Sequence, residues 1–536
     1  MSKSMEPEST VVGVLAEAAR AEGGQLLKAL HRALRAAIVG GRLVPGLKLP
    51  PTRALAQALG ISRNTAVALY DLLASEGYVV AHGKGGTTVA HALPAARKAA
   101  ARTGASNALS NAPSIADVTA VDDSVAPKGP WTKTVWFSAP AQAAASSRSP
   151  TPTPGPTPPP WRHDFTVGVP AIAPLPFAVM RRLAARSLRA AERAPATYES
   201  SQGLARMRAA IASHVSATRA VACVPEDVVV TQGAQQAFDL LARVLVAPGQ
   251  TTVAIEDPGY PPMRAAFSAA GARLAPVRVD DHGLDVERIP AGCQIVCVTP
   301  SHQFPRGVTL SAERRRRLMA FAQDTPAVVI EDDYDSEFRF GRRPLDALKT
   351  LDRSGRVFYV GTFSKSLYPS LRLGYIVAPR WALPALVAAK HVADWNSCTL
   401  TQEMVAAFIE EGHLLRHARR MQAIYRARRE ALVAAVERHL GARAEVLPSE
   451  AGLHMAVRLN ASHDPLETIA ARAAADRVRV ETLARYAADR GVGGSGHGDA
   501  AFPRSGTDDD ALLFGYGRID AAQMDDALAR LARALA

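Results

Sequence analysis

Cysteine, lysine and long apolar runs are all scarce in this chain. Four cysteines, Cys223, Cys293, Cys297 and Cys398, in 536 residues are too few for a disulfide framework and too scattered for a zinc knuckle. They read as reduced thiols in a reducing cytoplasm, and no metal site is expected. No run of about eighteen apolar residues occurs, which excludes a membrane-spanning helix. The N-terminal MSKSMEPEST has glutamates where a signal peptide would have a basic and then an apolar stretch. A cytoplasmic protein without a membrane partner is therefore expected. Lysine supplies only 10 of the 63 basic residues, and only Lys349, Lys365 and Lys390 fall between 161 and 536. Each of those three is worth attention for that reason.

Hydrophobic residues make up 48% and charged residues 21%, enough to bury cores and to exclude wholesale disorder. The length suggests roughly three or four structural units. A net charge of +13 permits an acidic polymer as partner without establishing one. Composition shifts sharply twice. Residues 20–92 carry helical periodicity and turn signals. From 93 to 160 the chain is rich in Ala, Ser, Thr and Pro and ends in TPTPGPTPPP, a stretch that cannot bury enough apolar surface to offset its ordering entropy. It reads as a disordered linker, spanning roughly 45 Å root mean square as a flexible coil. From 161 to 536, β-branched runs such as DVVVTQ, TTVAIED, CQIVCVTP and AVVIEDD alternate with amphipathic Arg/Ala helices, which argues for an α/β domain with a mostly parallel sheet. Residues from about 425 to 536 read as a small C-terminal α+β lobe, interrupted by GVGGSGHGDAAFPRSG.

In the first module, Leu26, Leu27, Leu30, Leu34 and Ile38 recur at helical spacing, and GRLVPGLKLP ends that helix. Two short helices follow, split at Gly60, the second entered at Ser62. Next, YVVAHGKGGTTVA alternates like a β-hairpin with a Gly tip, so the whole reads as a winged helix-turn-helix. Residues 25–90 hold eight basic side chains against two acidic, a net +6, the sign that phosphate-directed binding needs.

In the large region, Lys365 follows a hydrophobic strand within GTFSKSLYPSLR, among Thr362, Ser364 and Ser366 and seven residues before Arg372. A lysine at a strand end among hydroxyls, near an arginine, suits a Schiff-base amine beside a phosphate, though a solvated surface lysine has the same local look. The strand AVVIEDDYDSEF delivers Glu331 to Asp335 at its carboxyl end, where ligands of open α/β sheets bind. A carboxylate there could keep a pyridinium nitrogen protonated, and a phenol could bond a 3-hydroxyl; for Asp333 and Asp335 a solvated acidic loop is an equal reading. VVVTQGAQQAF, a strand, a Gly turn and a helix, points the amides of Gly233, Ala234 and Gln235 toward an anion. In IEDPGYPP a strand end delivers Tyr260, which could stack on a ring or sit in a core.

The run from Ile38 to Val89 resembles the winged helix of GntR-type regulators nearly position for position. TQGAQQA, EDPGY, TPSHQFPRG, EDDYDSEF and GTFSKSL, in that order, resemble a fold-type I aminotransferase. Joined by a long linker, the two resemble the MocR/GabR family of pyridoxal-phosphate-dependent transcription regulators, a likeness that covers about 65 N-terminal residues and nearly all of 161–536. The resemblance implies pyridoxal 5'-phosphate as cofactor, with Lys365 forming the covalent link, Asp332 pairing with the pyridine nitrogen, Tyr334 bonding the 3-hydroxyl and Tyr260 stacking. It also implies that Ala234, Gln235, Thr362, Ser364 and Arg372 cradle the phosphate. On double-stranded operator DNA, Arg53 would touch phosphate or a base near the start of its helix. Arg63, Asn64 and Thr65 would enter the major groove, and the wing tip Lys84, Gly85 and Thr87 the minor groove. A head-to-tail homodimer and an effector, either an amino compound or a vitamer, are implied as well. Two departures stand out. Phe304 replaces the usual Asn that bonds the 3-hydroxyl, so Tyr334 would serve that oxygen largely alone. Leu513 stands where many aminotransferases carry the arginine for the substrate carboxylate, leaving Arg479 and Arg518 as alternatives. These departures favour sensing over turnover; the other reading is a working aminotransferase that carries a DNA-binding domain.

Overall fold

The computed structural model describes residues 6–16, 18, 26–75, 78–82, 86–90, 161–193, 197–340, 346–449, 451–460, 464–488 and 511–535. The expected linker 93–160, the wing-tip residues Lys84 and Gly85 and the Gly-rich stretch 491–506 lie outside them. The chain divides into two compact units, Met1–Ala120 and Val121–Ala536.

The first unit is a three-helix core with a hairpin and one additional helix. Helices span Leu26–Val39, Thr52–Leu59 and Arg63–Ser75; β1 (Val79–Ala81) pairs antiparallel with β2 (Thr87–Val89), with Val79 opposite Val89. Leu30, Leu34 and Ile38, spaced four apart, bury one face of the first helix against Leu55, Leu69 and Leu73. Gly60 ends the second helix at φ 64, a left-handed conformation that a glycine adopts without a Cβ penalty. The sequence pattern did not reveal the helix Glu6–Ala16, which adds Val11 and Leu15 to the same core.

The second unit is built on an eight-stranded sheet. Its strands are β4 (Val228–Thr231), β5 (Thr252–Asp257), β6 (Arg273–Asp280), β7 (Gly283–Leu284), β8 (Ile295–Val298), β9 (Val328–Asp333), β10 (Val357–Thr362) and β11 (Gly374–Val377), in the order β4-β11-β10-β9-β8-β5-β6-β7. Neighbours from β10 through β6 are parallel, while β11 runs antiparallel to both β4 and β10. This is the mostly parallel sheet expected. Strands β4, β8, β9, β10 and β11 are buried along their whole length, because helices cover both faces and each face needs its own apolar set. Alternation sorts them: Val229, Phe358 and Val360 pack toward the helices Ala234–Leu245 and Pro261–Ala269, whereas Val228, Val230 and Tyr359 pack toward Ala205–Arg219 and Thr399–Glu410.

A four-stranded antiparallel sheet, in the order β12 (Ala444–Val446), β13 (His454–Leu459), β16 (Ala511–Gly515), β15 (Glu481–Thr482), forms the small lobe with the 27-residue helix His413–His439 and the helices Leu466–Ala475 and Met524–Ala534. The segment just after residue 160 also belongs to this packing. There β3 (His163–Asp164) pairs in parallel with β14 (Val478–Arg479), and Phe165 and Ala171 join the lobe's apolar cluster. Nothing in the sequence pattern signalled that return of the chain.

Candidate functional site

The C-terminal ends of β4, β5, β9 and β10 lie on one side of the sheet, and each delivers one piece of the site. Past β4, Gly233 at φ 78 opens the helix Ala234–Leu245. That positive φ favours glycine, and a Cβ there would lie 2.9 Å from the Arg372 guanidinium. Arg372 Nη2 donates to the Gln232 carbonyl at 2.8 Å. The first-turn amides of any helix lack intrahelical acceptors, so Ala234 and Gln235 stand with Arg372 at an anion-attracting corner. Gln232 and Arg372 also line a pocket of about 120 Å³ together with Leu371, Leu373, Ser397, Cys398 and Thr401. Past β10, Thr362 Oγ1 lies 3.0 Å from Ser364 Oγ and accepts the Ser364 amide at 3.2 Å, which fixes the turn that carries Lys365.

Lys365 Nζ donates to the Gly168 carbonyl. Burial lowers the amine's pKa; Asp335 and Asp332 oppose that shift and Arg372 adds to it. Asp332, 4% exposed near the end of β9, has an Oδ1 with no hydrogen-bond partner. Its pKa is pushed well up by burial first, then by the carboxylates of Asp333, Asp335 and Glu256, with Lys365 acting in the opposite sense. Tyr260 precedes the helix Pro261–Ala269, its ring edge-on to Phe304 at 5.4 Å between centroids. Burial, and then the Asp332 carboxylate, push its phenol up to about 12.

Asp333 and Asp335 are not a solvated acidic loop, because the strand end that holds them is covered. Asp333, 5% exposed, accepts Arg219 Nε at 2.6 Å and the Tyr359 and Ser336 hydroxyls, an internal ion pair that secures the sheet's end. Glu331 accepts the amides of Leu348 and Lys349, each at 2.8 Å, and is structural too. Asp335, 2% exposed, accepts from His302 Nδ1 at 3.0 Å, and the Tyr334 hydroxyl lies 2.9 Å from that same nitrogen. His454 lies beside this group, its ring 4.7 Å from that of His302, with Nε2 donating to the Pro305 carbonyl at 3.0 Å. Burial, and then His302, hold its pKa well below the ordinary histidine value. Sequence reasoning passed over His302 and His454. A histidine inside TPSHQFPRG was a visible signal, whereas His454 at the start of an apolar strand gave none.

The two arginines proposed for a carboxylate both have partners beside β3. Arg518 pairs with Asp164 at 2.8 Å and is half exposed, and the Arg479 guanidinium lies over the Trp161 ring at 5.9 Å. Leu513 is fully buried among Phe304, Tyr334, Ala456 and Tyr486.

In the first unit, Arg53, Arg63 and Asn64 are exposed near the starts of the second and third core helices. Thr65 is tied into the helix start: its amide donates to Ser62 Oγ at 3.0 Å and its hydroxyl lies 2.8 Å from that oxygen. Thr87, partly buried, opens β2, and its carbonyl accepts the Leu49 amide at 2.8 Å.

Residues 26–89 match the family "Bacterial regulatory proteins, gntR family", and residues 164–488 match "Aminotransferase class I and II". The chain is 36% identical over 434 residues to the "Probable rhizopine catabolism regulatory protein MocR" of Rhizobium meliloti, covering 80% of each chain. It is 37% identical to the HTH-type transcriptional regulator TauR of Rhodobacter capsulatus, covering 78% of this chain and 81% of that one. Among solved structures it resembles LysN, the α-aminoadipate aminotransferase of Thermus thermophilus complexed with N-(5'-phosphopyridoxyl)-L-leucine. There the TM-score is 0.61 and the identity 28%, over 69% of this chain and 91% of that one. Both of these relatives are named as regulators, and the aminotransferase family match falls within the second unit. The chain belongs to the MocR/GabR family of transcription regulators, in which a GntR-type winged helix is fused to an aminotransferase class I and II domain.

Proposed function

We propose that this regulator holds pyridoxal 5'-phosphate in its aminotransferase-like domain and uses it to sense a vitamer or a small amino compound, adjusting operator binding rather than turning substrate over. The observation that carries the reading is the unpartnered, fully enclosed oxygen of Asp332 in the same site as the buried amine of Lys365. A buried carboxylate oxygen without a donor is costly, and a protonated pyridine nitrogen supplies that donor. The remaining residues fit the same group: Arg372 with the Ala234 and Gln235 amides, Thr362 and Ser364 suit a phosphate, Tyr260 offers a ring face and Tyr334 a phenol.

When bound, the cofactor supplies an aldehyde that condenses with primary amines and a ring that withdraws electrons. In this reading Lys365 contributes the nucleophilic amine, and its burial favours the neutral form over the charged one. Asp332 keeps the ring nitrogen protonated, and the phosphate corner fixes orientation. At the other end, Arg63 and Asn64 read base edges, Thr65 sits beside them at the helix start, Arg53 contacts the backbone, and Lys84, Gly85 and Thr87 form the wing contact. The working protein is a cytoplasmic head-to-tail homodimer. Its DNA-binding domain spans 20–92, its linker 93–160 and its cofactor domain 161–536.

The test is a titration of the purified protein with pyridoxal phosphate, followed by borohydride reduction and peptide mapping. A visible band that reduction abolishes, leaving one adduct on Lys365, is expected, and an unchanged adduct in Lys365→Ala overturns the assignment. Operator affinity is then measured for the cofactor-free, cofactor-loaded and amine-treated forms, with keto-acid production followed over many turnovers. Equal affinities together with rapid multiple turnover would replace the sensor with a working aminotransferase, the reading that the aminotransferase class match keeps in play.

A further inference from the structure

The Asn usual in aminotransferases is replaced here by Phe304, but the space next to Tyr334 is not left apolar. His302 occupies it, buried at 2% exposure, with Nδ1 3.0 and 3.2 Å from the two Asp335 oxygens and 2.9 Å from the Tyr334 hydroxyl. A carboxylate only accepts, so the arrangement puts the proton on Nδ1. The Tyr334 oxygen, sharing that nitrogen, then accepts as well, and the phenol's own proton stays available for another acceptor. The pair is built to stay in register. A Cβ on Gly452, whose φ is +85, would lie 2.1 Å from His302 Cε1 and 2.4 Å from Asp335 Oδ2, so only glycine lets the chain pass there. On the far side of the imidazole, Ser449 Oγ lies 3.4 Å from Nε2. His302, Asp335 and His454 have donor atoms within 4.8 Å of one another, yet the His302 and Asp335 atoms already bond each other, so a proton network accounts for them.

We propose that His302 and Asp335 are positioning residues for Tyr334: they turn its oxygen into an acceptor toward His302 and so direct its proton to the 3-oxygen of the bound cofactor. The dyad thereby performs, through Tyr334, the part that the missing Asn would have played directly. This inference rests on the cofactor reading above.

With pyridoxal phosphate linked to Lys365, the Lys365 nitrogen would hold a proton shared with the 3-oxygen, and the visible band would be lost as that proton leaves. A donor to the 3-oxygen draws charge from it and weakens its hold on the shared proton, so losing the donor raises the pH midpoint of the band. Other groups face the network and remain in place throughout: Asp332 on β9, Glu256 on β5 and Tyr516 after β16 around Tyr334, and His454 on β13 beside His302.

The experiment is a pH titration of the visible band in the pyridoxal-phosphate-loaded full-length protein and in Tyr334→Phe, His302→Gln, Asp335→Asn and the double variant His302→Gln/Tyr334→Phe. Tyr334→Phe should raise the midpoint by about one pH unit or more. His302→Gln should raise it in the same direction, and the double variant should shift no further than Tyr334→Phe alone; Asp335→Asn loses the same donor but also a negative charge that favours the proton at Lys365, so its midpoint should lie below that of His302→Gln. A midpoint unchanged in His302→Gln, or shifts that add in the double variant, overturns the proposal, because a structural role would not act through the Tyr334 hydroxyl. If His302→Gln does not fold, His302→Asn takes its place. A wild-type protein that forms no visible band at all refutes the cofactor reading instead, so the two failures are distinguishable.

Discussion

Single side chains in this protein are controlled mainly by burial. Asp332 lies in a carboxylate-rich strand end, and removing its lone donor-seeking oxygen should weaken cofactor binding by a charge-assisted hydrogen bond, roughly 1.5 to 3 kcal/mol. Asp332→Ala should therefore lose about tenfold to a hundredfold in pyridoxal-phosphate affinity, measured by absorbance titration, and unchanged affinity removes Asp332 from the site. Burial also sets the pH response of the cofactor-free protein. Desolvation pushes Glu256 and Glu331 up to about 7, so the folded state retains protons that the unfolded chain releases above its ordinary carboxylate range. Their stabilising contribution is present at low pH and lost as pH rises through 7. His417 runs the other way: burial first, then Arg420, lowers it to about 4, so its contribution is lost as pH falls from about 6.5 toward 4. Of these three groups only the two carboxylates titrate between about pH 6.5 and 8, and their contribution makes the thermal midpoint fall with rising pH. Glu256→Gln should flatten that slope, and an identical slope in the variant assigns the effect elsewhere.

Elements set which side chains are free to act. In the third core helix of the winged unit, Arg63 and Asn64 are exposed, whereas the Thr65 hydroxyl is held by Ser62. Removing that cap in Ser62→Ala should cost the unit about 1 kcal/mol of stability, read from denaturant melts of the full chain followed in this unit. Arg63→Ala should leave those melts unchanged and cost about 1 to 3 kcal/mol on the preferred operator, with relaxed sequence choice if Arg63 reads a base. Equal loss on every sequence makes it a phosphate contact, and no loss removes it from the interface. In the second unit the elements explain why acidic neighbours differ in role. Asp332 and Asp333 alternate across β9, so Asp333 faces Arg219 and Tyr359 while Asp332 shares the site of Lys365.

At the scale of the whole molecule the two units are joined in one chain that belongs to a regulator family, so ligand binding in one should register in the other. Operator affinity of the full-length protein should change on loading with pyridoxal phosphate or an amine by on the order of 1 to 3 kcal/mol, and operator DNA should change ligand affinity by the same factor. Paired titrations, each ligand in the absence and presence of the other, check this reciprocity, and two identical curves remove the coupling.

Much of this was legible in the chain itself. Local signals carry the winged helix, since four-residue apolar spacing, a Gly stop and a Ser cap act within a few residues. Continuous β-branched runs likewise announce a sheet covered on both faces, and Lys365 stands out because lysines are so few. What depended on residues distant in sequence could be decided only by folding. The turn at Gly168 meets Lys365 from 197 positions away, and His454 reaches His302 across the small lobe. Asp335 exchanges solvent for an imidazole because Gly452 leaves room for both. Period and propensity describe a residue's neighbours along the chain, but the partner that settles a buried charge or proton is chosen by packing.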